Sequence, residues 1–248
     1  IENAVPAQWI KVGTLWWYQH EDRSYTQNDW EKIGEYWYYF DKDGWMCTGW
    51  RNIDGSWYYF GDSDDGVMKT NQWVGDYYVG QNGIMLTDTW IGVYYVDESG
   101  KWVPNACSVD LGNGETQIVA GTYNNTFEQE VIRLLNEYRL ENGLNSLETQ
   151  EFLSKQVDIR SYEIVVDFSH TRPNGTDCFT VLEGGGYFGM GENIAAGYQT
   201  PEDVMNGWKN SPGHNANMLN PDFKYIGVSS FSSNDTTYGI YWVQMFAY

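Results

Sequence analysis

The chain has 248 residues and a formal charge of −20, with 14 basic against 34 acidic side chains. Neither half clusters its Lys and Arg as a phosphate backbone requires, so a nucleic-acid partner is excluded. No stretch approaches the ~18 apolar residues of a membrane span, and Cys47, Cys107 and Cys178 suit neither a metal spacing nor a dense disulfide framework.

The chain begins at Ile1 without a charged and then apolar leader, so a secreted form would have lost its signal peptide. Eleven of the thirteen tryptophans lie at or before Trp102, which divides the chain into two regions of different character. Five units open on Trp9, Trp30, Trp50, Trp73 and Trp90. Each continues through a glycine into an aromatic cluster, as in Trp37-Tyr38-Tyr39-Phe40 and Trp57-Tyr58-Tyr59-Phe60. Further turns follow at Asp43-Gly44, Asp65-Gly66, Asn82-Gly83 and Ser99-Gly100, with Met46, Met68 and Met85 two residues after the first three. Strand formers between turn dipeptides predict one β-hairpin per unit. A lone hairpin is marginal in water, so the units must stack, with aromatic-walled notches between neighbours. Such notches suit a quaternary ammonium. Units four and five lack the tryptophan that opens the cluster and are expected to pack as caps or as a connection.

Residues 104–123 are rich in Pro, Gly and Asn and are predicted to be a linker holding at most one short strand. A first helix opens in a capping-box pattern at Thr126 and Gln129 and stops at Asn142-Gly143. A second is predicted over 148–166. A third starts at Thr200-Pro201, and a short fourth follows Ser211. Residues 225–231 and 238–248 read as strands of an antiparallel sheet, joined by a polar loop over 232–237. Helices with such a sheet predict an α+β fold.

Two of the three histidines, His170 and His214, fall in short polar motifs of this region, with Glu192 between them in Gly191-Glu192-Asn193-Ile194. If the fold joins them, two imidazoles and a carboxylate make either an open metal site or an acid–base pair. A network bracing the loops is the structural alternative. A hydrolytic triad using Ser169 or Ser211 has no nucleophile-elbow pattern behind it. Glu163 is expected near the face of His170, in a surface ion pair with Arg160 or another base, and Arg172 is expected to brace the loop.

The repeats, closest in 30–49 and 50–69, resemble the cell-wall-binding repeat of choline-binding proteins from Gram-positive bacteria. That resemblance implies a β-hairpin solenoid recognising choline on teichoic or lipoteichoic acid. It implies cages built from Trp30, Trp37, Trp50, Trp57 and Tyr59 first, and from Trp9, Trp16, Trp73 and Tyr78 second. Related glucan-binding domains make wall or glucan carbohydrate the alternative ligand. From Thr126 onward the motifs around His170, Glu192 and His214, with Tyr225-Ile226-Gly227-Val228 and Tyr241-Trp242-Val243-Gln244-Met245-Phe246, resemble the CAP superfamily in its bacterial form. This implies an α-β-α sandwich whose cleft is lined by His170, Glu192 and His214, with the two histidines able to hold zinc or another divalent cation. Ser211 stands where many eukaryotic members carry a second glutamate. The combined expectation is a secreted, wall-associated protein of two domains: repeats over 1–103, a linker over 104–123 and the CAP-like domain over 124–248. A wall-targeted hydrolase is the alternative, and the ligand of the second domain is unassigned.

Overall fold

The computed structural model describes residues 5–234 and 236–248. Ile1 to Ala4, at the expected processing point, and Asp235, in the expected loop over 232–237, lie outside the described residues. The chain divides into two compact units, Ile1–Val103 and Pro104–Tyr248.

Among the described residues, the first unit contains five antiparallel hairpins. They are β1 (Gln8–Val12) with β2 (Leu15–Gln19), β3 (Asp29–Ile33) with β4 (Tyr36–Phe40), β5 (Trp50–Ile53) with β6 (Ser56–Tyr59), β7 (Gln72–Val74) with β8 (Tyr77–Val79), and β9 (Thr89–Ile91) with β10 (Tyr94–Val96). β11 (Trp102–Val103) adds a third strand beside β10. Each hairpin closes through two residues, as the pairs Val12↔Leu15, Ile33↔Tyr36, Ile53↔Ser56, Val74↔Tyr77 and Ile91↔Tyr94 show. The tight turns are therefore the glycines that precede each cluster. The Asp-Gly and Asn-Gly dipeptides after the clusters, which the sequence marks as the strongest hairpin signals, instead shape the connections between hairpins.

Consecutive hairpins pack ring against ring. Trp9 meets Tyr38 at 4.9 Å between centroids, Trp30 meets Tyr58 at 4.8 Å, Trp50 meets Tyr77 at 5.7 Å and Trp73 meets Tyr94 at 5.8 Å. The connections repeat one backbone bond: the amides of Met46, Met68 and Met85 donate to the carbonyls of Trp16, Trp37 and Trp57 at 2.7, 2.8 and 2.8 Å. The next connection then lays a left-handed glycine on the methionine. Gly66 lies on Met46, Gly83 on Met68 and Gly100 on Met85, so a Cβ at any of the three would overlap the thioether.

In the second unit, β12 (Ala106–Gly112) and β13 (Glu115–Ala120) form a hairpin where a linker is predicted. Val109 and Val119 are buried with Phe231, so an apolar contact holds a segment that its turn residues alone mark as a loop. β14 (Thr122–Tyr123), β16 (Tyr225–Ser232), β17 (Ile240–Ala247) and β15 (Met190–Ala196) form one antiparallel sheet in that spatial order. Strand alternation sends Trp242 and Phe246 into a core with α1 (Asn125–Glu141), α3 (Pro201–Lys209) and α4 (Pro212–Met218). Tyr241, Val243 and Met245 face the other way, toward α2 (Glu151–Val166) and the 3₁₀ turn Cys178–Leu182. Helices thus cover both faces of the sheet.

Asn124, not Thr126, caps α1, its side chain accepting from the amide of Phe127 at 3.2 Å. α2 starts at Glu151, three residues later than predicted, because Glu148 pairs by its backbone with Lys224 and Ile226. Thr200 and Pro201 open α3 as expected, the Thr200 hydroxyl accepting from Asp203. Ser211 occupies the cap position of α4 without a side-chain bond.

Candidate functional site

Two groups of chemistry-bearing residues emerge, one in each unit. In the first unit, Trp30 and Trp37 from one hairpin, Tyr58 from the next and Met68 from the connection line an open cleft of ≈ 780 Å³ with Glu35 at its border. One repeat further on, Trp50, Trp57, Tyr77 and Met85 line a cleft of ≈ 380 Å³. Trp37 and Trp57 are each 44% exposed, so a face of each indole remains available to solvent.

Tyr59, a predicted cage residue, does not line either cleft. It packs behind Trp50 at 5.3 Å, and its hydroxyl donates to Asp62 at 3.1 Å. Tyr58 takes the place expected for it, because successive residues of β6 face opposite sides and the side toward Trp30 belongs to Tyr58. Tyr78 is displaced from a notch in the same way and packs on Trp73 at 5.3 Å. Strand alternation, already visible in the sequence, was the signal that could have found Tyr58 and Tyr77.

The first notch, at Trp9, Trp16, Tyr38 and Met46, has its own cation. The Lys11 ammonium lies 5.0 Å from the centre of the Trp16 ring and pairs with Asp64 at 2.8 Å. Asp64 also accepts from the Trp16 indole at 2.9 Å. These two bonds hold the Asp64 carboxyl below its ordinary range, the Lys11 contact contributing most.

In the second unit, α2 supplies a buried guanidinium. Arg160 donates to both oxygens of Glu192 at 2.8 and 3.3 Å, to Glu163 at 2.7 Å and to the Ser169 carbonyl at 2.8 Å. Glu163 therefore pairs with Arg160 as expected, but in the interior, with side-chain exposures of 0% and 3%. Arg172 grips the other side of Glu163 at 2.6 Å and donates to Thr180 at 3.1 Å, bracing the loop.

Nδ1 of His170 bonds Glu192 at 2.8 Å. That bond raises the pKa of His170 against an opposing effect of burial. Burial pushes the Glu192 pKa upward, but its bonds to His170 and Arg160 outweigh it, and the carboxyl stays ionised below its ordinary range. By strand alternation Glu192 faces α2, whereas Asn193 faces α4 and donates to the His214 carbonyl at 3.1 Å. β15 thus brings the two histidine segments to one sheet edge. Burial, then the charge of His170, lowers the pKa of His214 and keeps its imidazole neutral.

Among the described residues, no serine hydroxyl bonds either imidazole; the hydroxyl of Ser169 instead accepts from the Thr171 amide at 3.0 Å. The residues fit a divalent cation in part. A ligating imidazole normally passes its second N–H to an acceptor, and Glu192 offers that to His170. In His214, Nδ1 is buried and has no hydrogen-bond partner among the described residues. The ligand atoms of His170, Cys178 and Glu192 also lie within 4.8 Å of one another, a grouping that could hold a metal ion. Against this, Arg160 engages both Glu192 oxygens, and burial pushes the Cys178 thiol up to about 12. Cys47, Cys107 and Cys178 are all free thiols.

Comparison with known proteins matches both units. The choline-binding repeat families match residues 28–73 and 67–102, and the CAP (cysteine-rich secretory protein) family matches 132–246. YkwD of Bacillus subtilis (strain 168) is 38% identical over 124 residues, covering 48% of this chain and 46% of that protein. The choline-binding domain of Spr1274 from Streptococcus pneumoniae is 39% identical, covering 32% of this chain and 95% of that structure, with a TM-score of 0.29. CbpJ from Streptococcus pneumoniae TIGR4 is 34% identical, covering 38% of this chain and 33% of that structure, with a TM-score of 0.35. The chain spans under half the length of the curated relatives it matches, 46% of one and 31% of the other. The four hairpins from β3–β4 to β9–β10 thus match the choline-binding repeat families, and the helix-covered sheet that follows them matches the CAP family.

Proposed function

We propose that this is a secreted bacterial surface protein that its hairpin array, acting as a solenoid, tethers to the cell wall by gripping choline on teichoic or lipoteichoic acid. On this reading the CAP domain is the presented cargo. The observation that carries it is the pair of equivalent open clefts at Trp30, Trp37, Tyr58, Met68 and at Trp50, Trp57, Tyr77, Met85. A trimethylammonium group has no N–H to donate, so stacked ring faces are its natural receptor, each contact contributing about 0.5–2 kcal/mol. Glu35 beside the first cleft favours a cation over a neutral sugar ring.

In the CAP domain, Glu192 orients His170 and keeps its other ring nitrogen directed away from the carboxylate. His170 and His214 would hold a divalent cation such as zinc, which when bound would polarise a ligand oxygen. Glu192 is committed to Arg160, so its role is to position His170 and not to take a proton from substrate.

Tryptophan fluorescence titrated with choline, with glucose oligomers as the comparison, tests the tether. Saturation by millimolar choline alone is expected, whereas saturation by the sugar alone overturns the assignment.

A further inference from the structure

The fourth hairpin lacks the opening tryptophan, yet other residues take the backbone positions that line the two intact clefts. Hairpin β7–β8 is shorter than β3–β4, so its turn residue Asp76 reaches the position that Trp37 and Trp57 hold in the intact repeats. The backbone records this equivalence. The Trp102 amide donates to the Asp76 carbonyl at 2.7 Å, repeating the bonds from Met68 to Trp37 and from Met85 to Trp57, both 2.8 Å. Trp102 therefore stands where the methionine stands elsewhere. The ring pair between hairpins also persists, with Trp73 5.8 Å from Tyr94 and Tyr94 6.1 Å from Trp102.

Two of the three rings are exposed, Tyr94 at 48% and Trp102 at 36%, and Trp73 is half-buried. Asp76 is exposed as well. The ion pairs of this unit, among the described residues, engage Lys11, His20, Lys42 and Lys69, and none involves Asp76.

We propose that Trp73, Tyr94, Trp102 and Asp76 form a third cation site, whose ligand is a protonated alkylamine. The inference rests on reading the two intact clefts as cation sites and adds a different selectivity. Aromatic faces attract any organic cation, but a carboxylate in place of one indole accepts hydrogen bonds. A primary ammonium donates three N–H groups and forms a charge-assisted bond, whereas a quaternary ammonium offers only its charge. The intact clefts suit the methylated head group; the rebuilt notch suits the unmethylated one.

The test uses the full chain with both intact clefts disabled by Trp37→Ala and Trp57→Ala. Its tryptophan fluorescence is titrated with n-butylammonium, tetramethylammonium and maltotriose, and circular dichroism checks the fold. Saturable binding of n-butylammonium, at least about fivefold tighter than tetramethylammonium, is expected. Adding Asp76→Asn should weaken the butylammonium response about tenfold and leave tetramethylammonium within about twofold, while Trp73→Ala abolishes both. The proposal is overturned if the folded double variant binds neither ammonium, if Asp76→Asn changes nothing, or if maltotriose binds in their place. The parent protein separates the two readings: choline binding there, with no ammonium binding in the double variant, removes the third site alone. Butylammonium binding in the double variant, with no choline binding in the parent, removes the reading of the intact clefts and leaves this site standing.

Discussion

The two units place their chemistry on opposite sides of the solvent boundary. In the hairpin unit the candidate binding groups are exposed rings, at Trp37, Trp57, Tyr94 and Trp102. In the CAP unit the charged groups lie inside, with Arg160 fully buried and Glu163 and Glu192 nearly so. A notch of rings costs little to leave empty, because an exposed indole has no unmet hydrogen-bonding demand beyond its N–H. A buried ion cluster is different, since every member is needed by the others. Variants should therefore separate cleanly, with losses of binding in the first unit and losses of folding in the second.

The largest effect is expected from Arg160→Met. Removing the guanidinium leaves Glu192 and Glu163 buried without their main partner, a change that costs about 3–5 kcal/mol. Urea denaturation should show the CAP unit unfolding early while choline binding by the hairpins persists; an unshifted midpoint would break the comparison. Next is Trp37→Ala, which should remove one choline per chain in calorimetry while the cleft at Trp50 and Trp57 keeps its own, with no change in the urea midpoint of the CAP unit. If that midpoint falls as well, the two regions are not separable in the way described.

A smaller effect concerns Glu128, whose amide-bonded carboxyl burial pushes up to about 7. Because its folded pKa lies above the ordinary 4.5, its contribution is fully present below pH 4.5 and gone above about 7. Glu128→Gln should flatten that slope and stabilise the protein at pH 8 by on the order of 1 kcal/mol, the partial exposure of the group keeping the gain small. A steeper slope would overturn the assignment. The smallest effect is expected from Lys11→Ala, which removes the cation already lying over Trp16. It should add one weak choline site to the calorimetric count while leaving the midpoint in place, and an unchanged count would mean that Lys11 does not block the first notch.

The hairpins were legible because their information is local: one glycine turn, one leading tryptophan and one cluster per unit. What escaped was the identity of the facing ring, Tyr58 and not Tyr59, since that depends on which side of β6 the neighbour occupies. The His170, Glu192 and His214 motifs were also visible, but β15, the strand carrying Glu192, was not. Gly191-Glu192-Asn193-Ile194-Ala195-Ala196 has few strand formers and is held by its pairing with β17. Arg160 escaped for a related reason. α2 buries polar and apolar residues together, so the sequence around it lacks the two-faced pattern of an ordinary surface helix. The hairpin over 106–120 was concealed by its turn residues, and its contacts with Phe231 and with Tyr162, Val165 and Val166 of α2 distinguish it from a linker.

The glycine seated on each methionine gives the array a courses-of-brick construction. Met85 is bonded to Trp57 below it and capped by Gly100 above it, so the cleft at Trp50 and Trp57 leans on a connection two hairpins further along the chain. Damage is consequently felt at a distance. Cutting the chain after residue 88 would spare every ring of that cleft and still unroof its floor, so shortened arrays should lose one more binding event than the number of notches removed.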